Sequence, residues 1–262
     1  MDLQLKDQVA LVTAASRGLG FAVADALAGE GARVVMSSRT QAVDTAAERI
    51  AQRGVYPPLA MQADLTKPLE IKRLVEKTLD AYGRIDILFI NAGGPDPGNF
   101  MDLDVSQWEA GMKLTIMSAV QLCQAVVPAM IEQQQGSIVA SQSMSVKQPV
   151  ENLTLSNALR PAVVGLMKSL ADELGPRGIR VNTIHPGWTQ TERVDQLVKN
   201  RSQTNGTNEN RERERITRAI PLGRMGTAEE FGRAAAWLAS PAASFIHGQA
   251  LVVDGGETRF PL

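Results

Sequence analysis

Cysteine is almost missing from this chain. Cys123 stands alone, so no internal disulfide can form, and its apolar neighbours make it a buried structural thiol. An excess of charge of one sign is missing too. Lys and Arg number 27 against 28 for Asp and Glu, which removes the basic surplus that a nucleic-acid surface needs. No uninterrupted run of eighteen apolar residues occurs, so no membrane span is expected. The first residues, Met1 to Lys6, are polar with an acid at Asp2, the wrong character for a secretion signal. A reducing cytoplasm fits these features. No metal-ligating set is expected; the two histidines are His185 and His247.

What is present is apolar and regularly spaced. The 262 residues are 44% hydrophobic, enough for one large core, and the whole chain reads as a single domain. Short β-branched runs at 9–13, 33–37, 58–62, 87–90, 136–140, 180–184 and 250–253 are strand candidates. Several are continuously apolar, as suits strands buried on both faces of a parallel sheet. Between them, Ile116, Val120, Cys123, Val127 and Ile131 form one helical stripe, and Leu159, Val163, Leu166, Leu170 and Leu174 another. Alternating strand and helix predicts an α/β protein: a Rossmann-type, doubly wound parallel sheet of about seven strands with helices on both faces. The polar stretch 199–218 breaks the rhythm. Its Arg/Glu alternation reads as a solvated helix face, and Asn205-Gly206 as a turn. The surrounding segment 192–220 is either an exposed insertion or a lid over a substrate pocket.

Chemistry begins where the first strand meets the first helix, at Thr13-Ala14-Ala15-Ser16-Arg17-Gly18-Leu19-Gly20. Glycines there let backbone approach a pyrophosphate seated on the positive helix end. This stretch resembles the TGxxxGxG motif of short-chain dehydrogenases/reductases, with Ala14 at the first glycine. An alanine forced to positive φ there costs about 1 kcal/mol or more. Further motifs extend the resemblance over nearly the whole chain. Ala63-Asp64-Leu65 is similar to the family's adenine-binding aspartate segment, Asn91-Ala92-Gly93 to its NAG motif, and 136–139 to its fifth strand. Residues 178–182 with His185-Pro186-Gly187, Thr189 and Thr191 resemble its IRVN…PG…T segment, and 220–226 and 252–256 its C-terminal signatures.

The resemblance implies a nicotinamide nucleotide held by Thr13, Ser16, Arg17, Gly18, Leu19, Gly20, Ser38, Arg39, Asp64, Leu65, Asn91, Ala92, Gly93, Pro186, Gly187, Thr189 and Thr191. An NAD-type carboxylate is expected about twenty residues past the glycines. Ser38 stands in its place with Arg39 beside it. A serine and a guanidinium welcome a 2′-phosphate that a carboxylate would repel. NADP(H) is therefore expected over NAD(H), with Arg17 as a second cation.

The family's Ser, Tyr, Lys and Asn tetrad falls on Ser143, Ser156, Arg160 and Thr115. Only the serine matches, leaving Ser143, Ser156 and Arg160 as candidate catalytic residues. Serine is a far weaker acid than tyrosine, and arginine keeps its proton. Pro161 removes a helix N–H next to Arg160 and is expected to open that turn. Tyr56 and Tyr82, the only tyrosines, read as packing or surface residues. His185 reads either as structural or as a proton relay through water, and His247 as packing. The altered tetrad resembles a subgroup related to 3-oxoacyl-[acyl-carrier-protein] reductases.

Three functions follow as alternatives. One is an oxidoreductase on a carbonyl or secondary alcohol, a 3-oxoacyl thioester among the options. Another is a nucleotide-binding sensor or partner subunit without turnover. The third is a cofactor-dependent lyase or isomerase. Family resemblance also implies a homo-oligomer, dimer or tetramer, with helices near 106–132 and 154–174 at the interface. No nucleic-acid or membrane partner is expected.

Overall fold

The computed structural model describes residues 1–259. Seven strands form one sheet: β1 (Val9–Val12), β2 (Arg33–Ser38), β3 (Leu59–Gln62), β4 (Ile87–Ile90), β5 (Gly136–Ser141), β6 (Ile179–Pro186) and β7 (Ala250–Val253). Their order is β3-β2-β1-β4-β5-β6-β7 and every pairing is parallel. β1, β4 and β5 are buried along their whole length, and β1 and β4 are continuously apolar, as such burial requires. The strand order reverses between β1 and β4, and the crevice beyond their carboxyl ends is where such sheets take ligands.

The helices are α1 (Gly18–Gly29), α2 (Ala42–Ala51), α3 (Pro68–Tyr82), α4 (Val105–Met112), α5 (Ser118–Gln133), α6 (Thr154–Leu174), α7 (Glu192–Thr204), α8 (Glu209–Ala219) and α9 (Ala228–Ala239). One face of the sheet carries α1, α2 and α9, whose Val23, Leu27, Val43, Ile50, Phe231 and Leu238 join one core. The other carries α3, α5 and α6, with Leu74, Leu122, Val126, Val163 and Met167 in a second. Cys123 lies in that second core, and burial pushes its thiol up to about 12.

Both predicted stripes are displaced. On α5 the buried residues are Ser118, Ala119, Leu122, Cys123, Val126 and Met130, so Ile116, Val120, Val127 and Ile131 sit on the flank. A π-helical turn, Lys113–Met117, precedes α5 and shifts its phase. On α6, Leu159, Val163 and Leu174 are buried as expected, but Met167 and Ala171 complete the row; Leu166 and Leu170 are half-buried at its edge. Pro161 does not open α6. The helix runs through it, with the proline ring on the exposed side.

The 29-residue helical run Val105–Gln133 is long and apolar enough, by length and composition, to cross a membrane. This departs from the expectation of no such segment. Its residues Leu122, Cys123, Val126 and Met130 pack in the sheet core, as in a core helix.

Segment 199–218 is folded rather than loose. α7 and α8 enclose a Gly206 turn at φ 63° and bury Val194, Val198, Ile216 and Ile220 in a third core with Met144, Val150, Trp188 and Met225. Nor is the charged face wholly solvated. Glu212 is buried and accepts hydrogen bonds from Thr207 Oγ1 at 2.7 Å and Asn205 Nδ2 at 3.3 Å, tying down the turn between the helices.

Glu257 borders this third core. Trp188 Nε1 donates to one of its carboxyl oxygens at 3.1 Å, and the other oxygen is buried without a partner. Burial pushes Glu257 from 4.5 up to about 7, against the opposing Trp188 hydrogen bond. A folded pKa above the unfolded one favours the folded state below the unfolded pKa, and that stability is lost as pH rises through the folded value. Glu257→Gln should therefore flatten the loss of stability between about pH 5 and pH 8. Urea denaturation at both ends of that window checks it; parallel slopes for wild type and variant would contradict the assignment.

Candidate functional site

β1 delivers the chain to the switch point, and Thr13 fixes it there. Thr13 Oγ1 donates to the Asn91 carbonyl at 2.7 Å and accepts from the Asn91 N–H at 3.0 Å. Its hydroxyl is thus spent on joining the ends of β1 and β4. Asn91 Nδ2 in turn donates to the Ala14 carbonyl at 3.2 Å.

The turn that follows is stereochemically demanding. Ala14 sits at φ 48° and Gly18 at φ 58°. Gly20 has no room for a side chain: a Cβ there would drive into the Ala14 carbonyl and stand 2.8 Å from Asn91 Nδ2. A Cβ on Gly18 would lie 3.6 Å from Thr191 Cγ2, so the turn also meets the start of α7. No side chain caps α1 at Arg17, and its first-turn amides therefore face the crevice with their hydrogen-bonding capacity unspent. Bare amides on a positive helix end, approached by backbone across glycine, fit a diphosphate. A nicotinamide dinucleotide fits this cradle.

Toward the adenosine end, Ser38 is buried and turned inward, donating to the Thr40 carbonyl at 2.7 Å. Arg39 is exposed and joins none of the ion pairs among the described residues. Arg17 differs, pairing with Glu192 at the start of α7. Leu65 is buried and Asp64 half-buried. Burial acts to raise the Asp64 carboxyl, but the Thr66 N–H and O–H outweigh it and hold it below the usual carboxylate range. Ser16, Leu19, Ala92, Gly93 and Gly187 remain at least partly open along the crevice, while Pro186 and Thr189 are buried. Thr191 caps α7, accepting from the Val194 N–H at 3.4 Å.

The reaction end gathers on β5 and α6. Arg160 Nε donates to Ser156 Oγ at 3.2 Å, and its Nη1 to the Gln142 carbonyl at 3.0 Å. Gln142 precedes Ser143, whose Oγ accepts from the Ser145 N–H at 3.1 Å. Both serine oxygens are thus acceptors in these contacts, which leaves each O–H free to donate elsewhere. Burial, and then the charge of Arg193, brings Arg160 down to about 10, still cationic at neutral pH. Thr115 lies buried in the π-helical turn; its hydroxyl lacks a partner, as do the buried Gln142 Oε1 and Ser145 Oγ atoms near β5. His185 is buried against Thr183 Oγ1 at 2.9 Å, and burial pushes it down to about 4. His247 bridges α6 and β6, accepting from the Val181 N–H at 3.1 Å and donating to the Ala171 carbonyl at 2.8 Å. Both tyrosines lie away from the reaction end: Tyr56 donates to Asp7 at 2.8 Å and Tyr82 packs in the second core.

Arg193 is the residue that sequence reading missed. Its guanidinium crosses to the loop after β4 and donates to the Pro95 carbonyl at 2.7 Å. The signal lay two positions past Thr191, where a cation follows the family threonine.

Known proteins match this chain over nearly its full length. A family model described as enoyl-(acyl carrier protein) reductase covers residues 13–258. The 3-oxoacyl-[acyl-carrier-protein] reductase of Synechocystis sp. is 35% identical over 260 residues, 98% of this chain and 99% of the relative. Among solved structures, L-sorbose reductase from Gluconobacter frateurii, complexed with NADPH and L-sorbose, superposes with a TM-score of 0.93 at 29% identity, covering 99% of this chain and 100% of that one. A 7α-hydroxysteroid dehydrogenase complexed with NADH gives 0.89 at 30% identity, covering 99% and 97%. The chain belongs to the short-chain dehydrogenase/reductase family and is an oxidoreductase of that type.

Ala14 carries the strain foreseen from sequence. Since a Cβ is disfavoured at φ 48° and glycine is not, Ala14→Gly should raise stability by about 1 kcal/mol. Equilibrium denaturation measures it; a loss of stability would show that the turn tolerates alanine without cost.

Proposed function

We infer that the protein is an NADP(H)-dependent oxidoreductase acting on a carbonyl compound or the matching secondary alcohol. The observation that carries this reading is the uncapped, glycine-lined start of α1, with Ser38 and Arg39 where a carboxylate would mark NAD. The NADPH-bound relative supports it; the NADH-bound one marks the alternative that Arg39 argues against. The 3-oxoacyl-[acyl-carrier-protein] reductase relative makes a 3-oxoacyl thioester one option within the carbonyl class.

When bound, the reduced nucleotide supplies a hydride to the carbonyl carbon. The chain's residues then handle the oxygen. The carbonyl π pair moves onto it, Ser143 and Ser156 donate hydrogen bonds, and the Arg160 charge stabilises the growing alkoxide. Neither serine is acidic enough to surrender its proton for good, so the proton that completes the alcohol comes from water. Catalysis rests on positioning and fixed charge rather than on a phenol. Segment 192–220 serves as the substrate-side lid, a role supported by the Arg17–Glu192 pair that joins α7 to the phosphate turn.

A second reading, nucleotide binding without turnover, is favoured by the distance of both tyrosines from the site. Calorimetric titration should show NADPH binding at least about tenfold tighter than NADH, the worth of one charge-assisted phosphate contact. Stopped-flow mixing of the NADPH complex with carbonyl compounds should then show cofactor oxidation. Tighter NADH would overturn the cofactor choice, and binding without oxidation would support the sensor.

Self-association also belongs to this reading. Val105, Met112 and Met117 are exposed along α4 and the following turn, with Ile116, Val120 and Val127 half-buried beside them. A second copy of this surface would cover that strip. Light scattering should give two or four times the 28.2 kDa chain mass, and Met117→Glu should reduce it. A monomer in the unmodified protein would refute the assignment.

A further inference from the structure

Arg180 shows how this protein can satisfy a half-buried arginine from within the fold. Its guanidinium donates to the carbonyls of Leu238, Ile246, Ala239 and Ser240 and to Ser137 Oγ. Arg160 and Arg193 are half-buried like Arg180, yet their donors are mostly idle. Arg193 spends one N–H, on the Pro95 carbonyl. Arg160 spends two, on Ser156 and Gln142. A guanidinium carries five N–H donors. Among the described residues, no carboxylate lies within 4.0 Å of either one.

The two cations are neighbours by construction. A Cβ on Gly111 would touch Leu159 Cδ1 at 2.9 Å and Pro95 Cβ at 3.5 Å. Pro95, in the loop that anchors Arg193, and Leu159, next to Arg160, thus flank the same residue of α4, which brings the two segments close. Arg193 is close enough to help lower the Arg160 pKa. Lys147 adds a third positive charge on the β5 side, acting on His185, which burial keeps neutral. The opposing acid is Asp96, exposed and engaged by Gln107 Nε2 at 3.3 Å. Taking guanidinium groups partly out of water with donors unspent is costly, and an anion supplied from outside relieves the cost.

We propose that Arg160 and Arg193 together clamp a carboxylate on the substrate, so that the carbonyl compound is a small oxo acid and the alcohol its hydroxy acid. Two planar forks match a carboxylate, and the hydroxyls of Ser143 and Ser156 lie next to the clamp for the carbonyl oxygen. This rests on the hydride-transfer reading and narrows its substrate class.

The test uses the full chain saturated with NADP⁺ and an unreactive stand-in for a 2-oxo acid, oxamate, with neutral oxamide and inorganic phosphate as controls. Calorimetry should show oxamate binding well above oxamide. Arg193→Gln should weaken oxamate by about tenfold to a hundredfold, the range for a charge-assisted hydrogen-bonded contact. Arg193→Lys should recover only part of the loss, because an ammonium lacks the fork. Both variants should keep their NADP⁺ affinity and cooperative thermal unfolding. In turnover, 2-oxobutanoate should exceed its methyl ester in kcat/KM, and the gap should close in Arg193→Gln. Oxamate no better than oxamide, phosphate tighter than oxamate, or unchanged oxamate affinity in both variants would overturn the clamp. Weakened NADP⁺ binding in Arg193→Gln would assign the guanidinium to the cofactor and overturn it equally. Should the unmodified protein take no NADP⁺, the hydride reading fails, and oxamate titration of the cofactor-free chain decides the clamp alone.

Discussion

The close approach of backbone to backbone at Gly20 is the constraint on which the site depends. With no Cβ, the first turn of α1 lies against the Ala14 carbonyl and the Asn91 amide. That contact does two things at once. It brings the uncapped amides of α1 to the end of β1, and it ties them to β4 across the point where the strand order reverses. Thr13 makes the tie rigid by exchanging two hydrogen bonds with the Asn91 backbone. A parallel sheet aims its strand ends at one edge, but only such a tie sets two neighbouring loops at a fixed spacing.

The other elements add function to that edge. β5 brings Gln142 and Ser143; α6 answers with Ser156 and Arg160, linked by the arginine's two hydrogen bonds. β6 leads into Thr191, which caps α7 and touches the Gly18 turn. The third core behind α7 and α8 holds this end in place and buries Trp188 and Glu257 beneath it. The glycine turn and the start of α7 thus meet at two points: Gly18 with Thr191, and Arg17 with Glu192.

Sequence pattern revealed the strands because they are short and rich in apolar residues, the inner ones buried along their length, a signal that survives without tertiary context. All seven predicted runs overlap observed strands, and Asn205-Gly206 marked a real turn. Helix phase was less legible. The π-helical turn at 113–117 and the small residues Ser118 and Ala119 rotate α5, and hydrophobicity alone does not register either. Glu212 was unreadable for a related reason: inside a run of alternating charges, nothing local says which acid turns inward to meet Thr207. In the candidate site, the glycine spacing marked the tight turn between β1 and α1, and the positive φ at Ala14 followed from its place in the motif. Arg193 was hidden because its role comes from a contact with Pro95, 98 residues away in sequence. Arg17 reads as a cation of the glycine turn by position; its pairing with Glu192, 175 residues away, is not legible in the sequence.

A serine and an arginine on α6 change which quantity governs the chemistry. A tyrosine–lysine pair delivers a proton, so its output follows the acidity of the phenol. In the proposed mechanism the hydroxyls would donate hydrogen bonds and the guanidinium, near 10, stays charged at neutral pH. Stabilisation of the alkoxide then depends on how firmly that charge is held. The Gln142 carbonyl and Ser156 hold it on one side, and the charge of Arg193 acts on it from another. Two like charges confined in this way disfavour the empty site and are relieved by an anion. A substrate carboxylate would thus supply the balance that the protein withholds, engaging the unspent donors of both arginines and setting the adjoining carbonyl oxygen beside Ser143 and Ser156. Specificity and catalysis would then draw on the same pair of side chains.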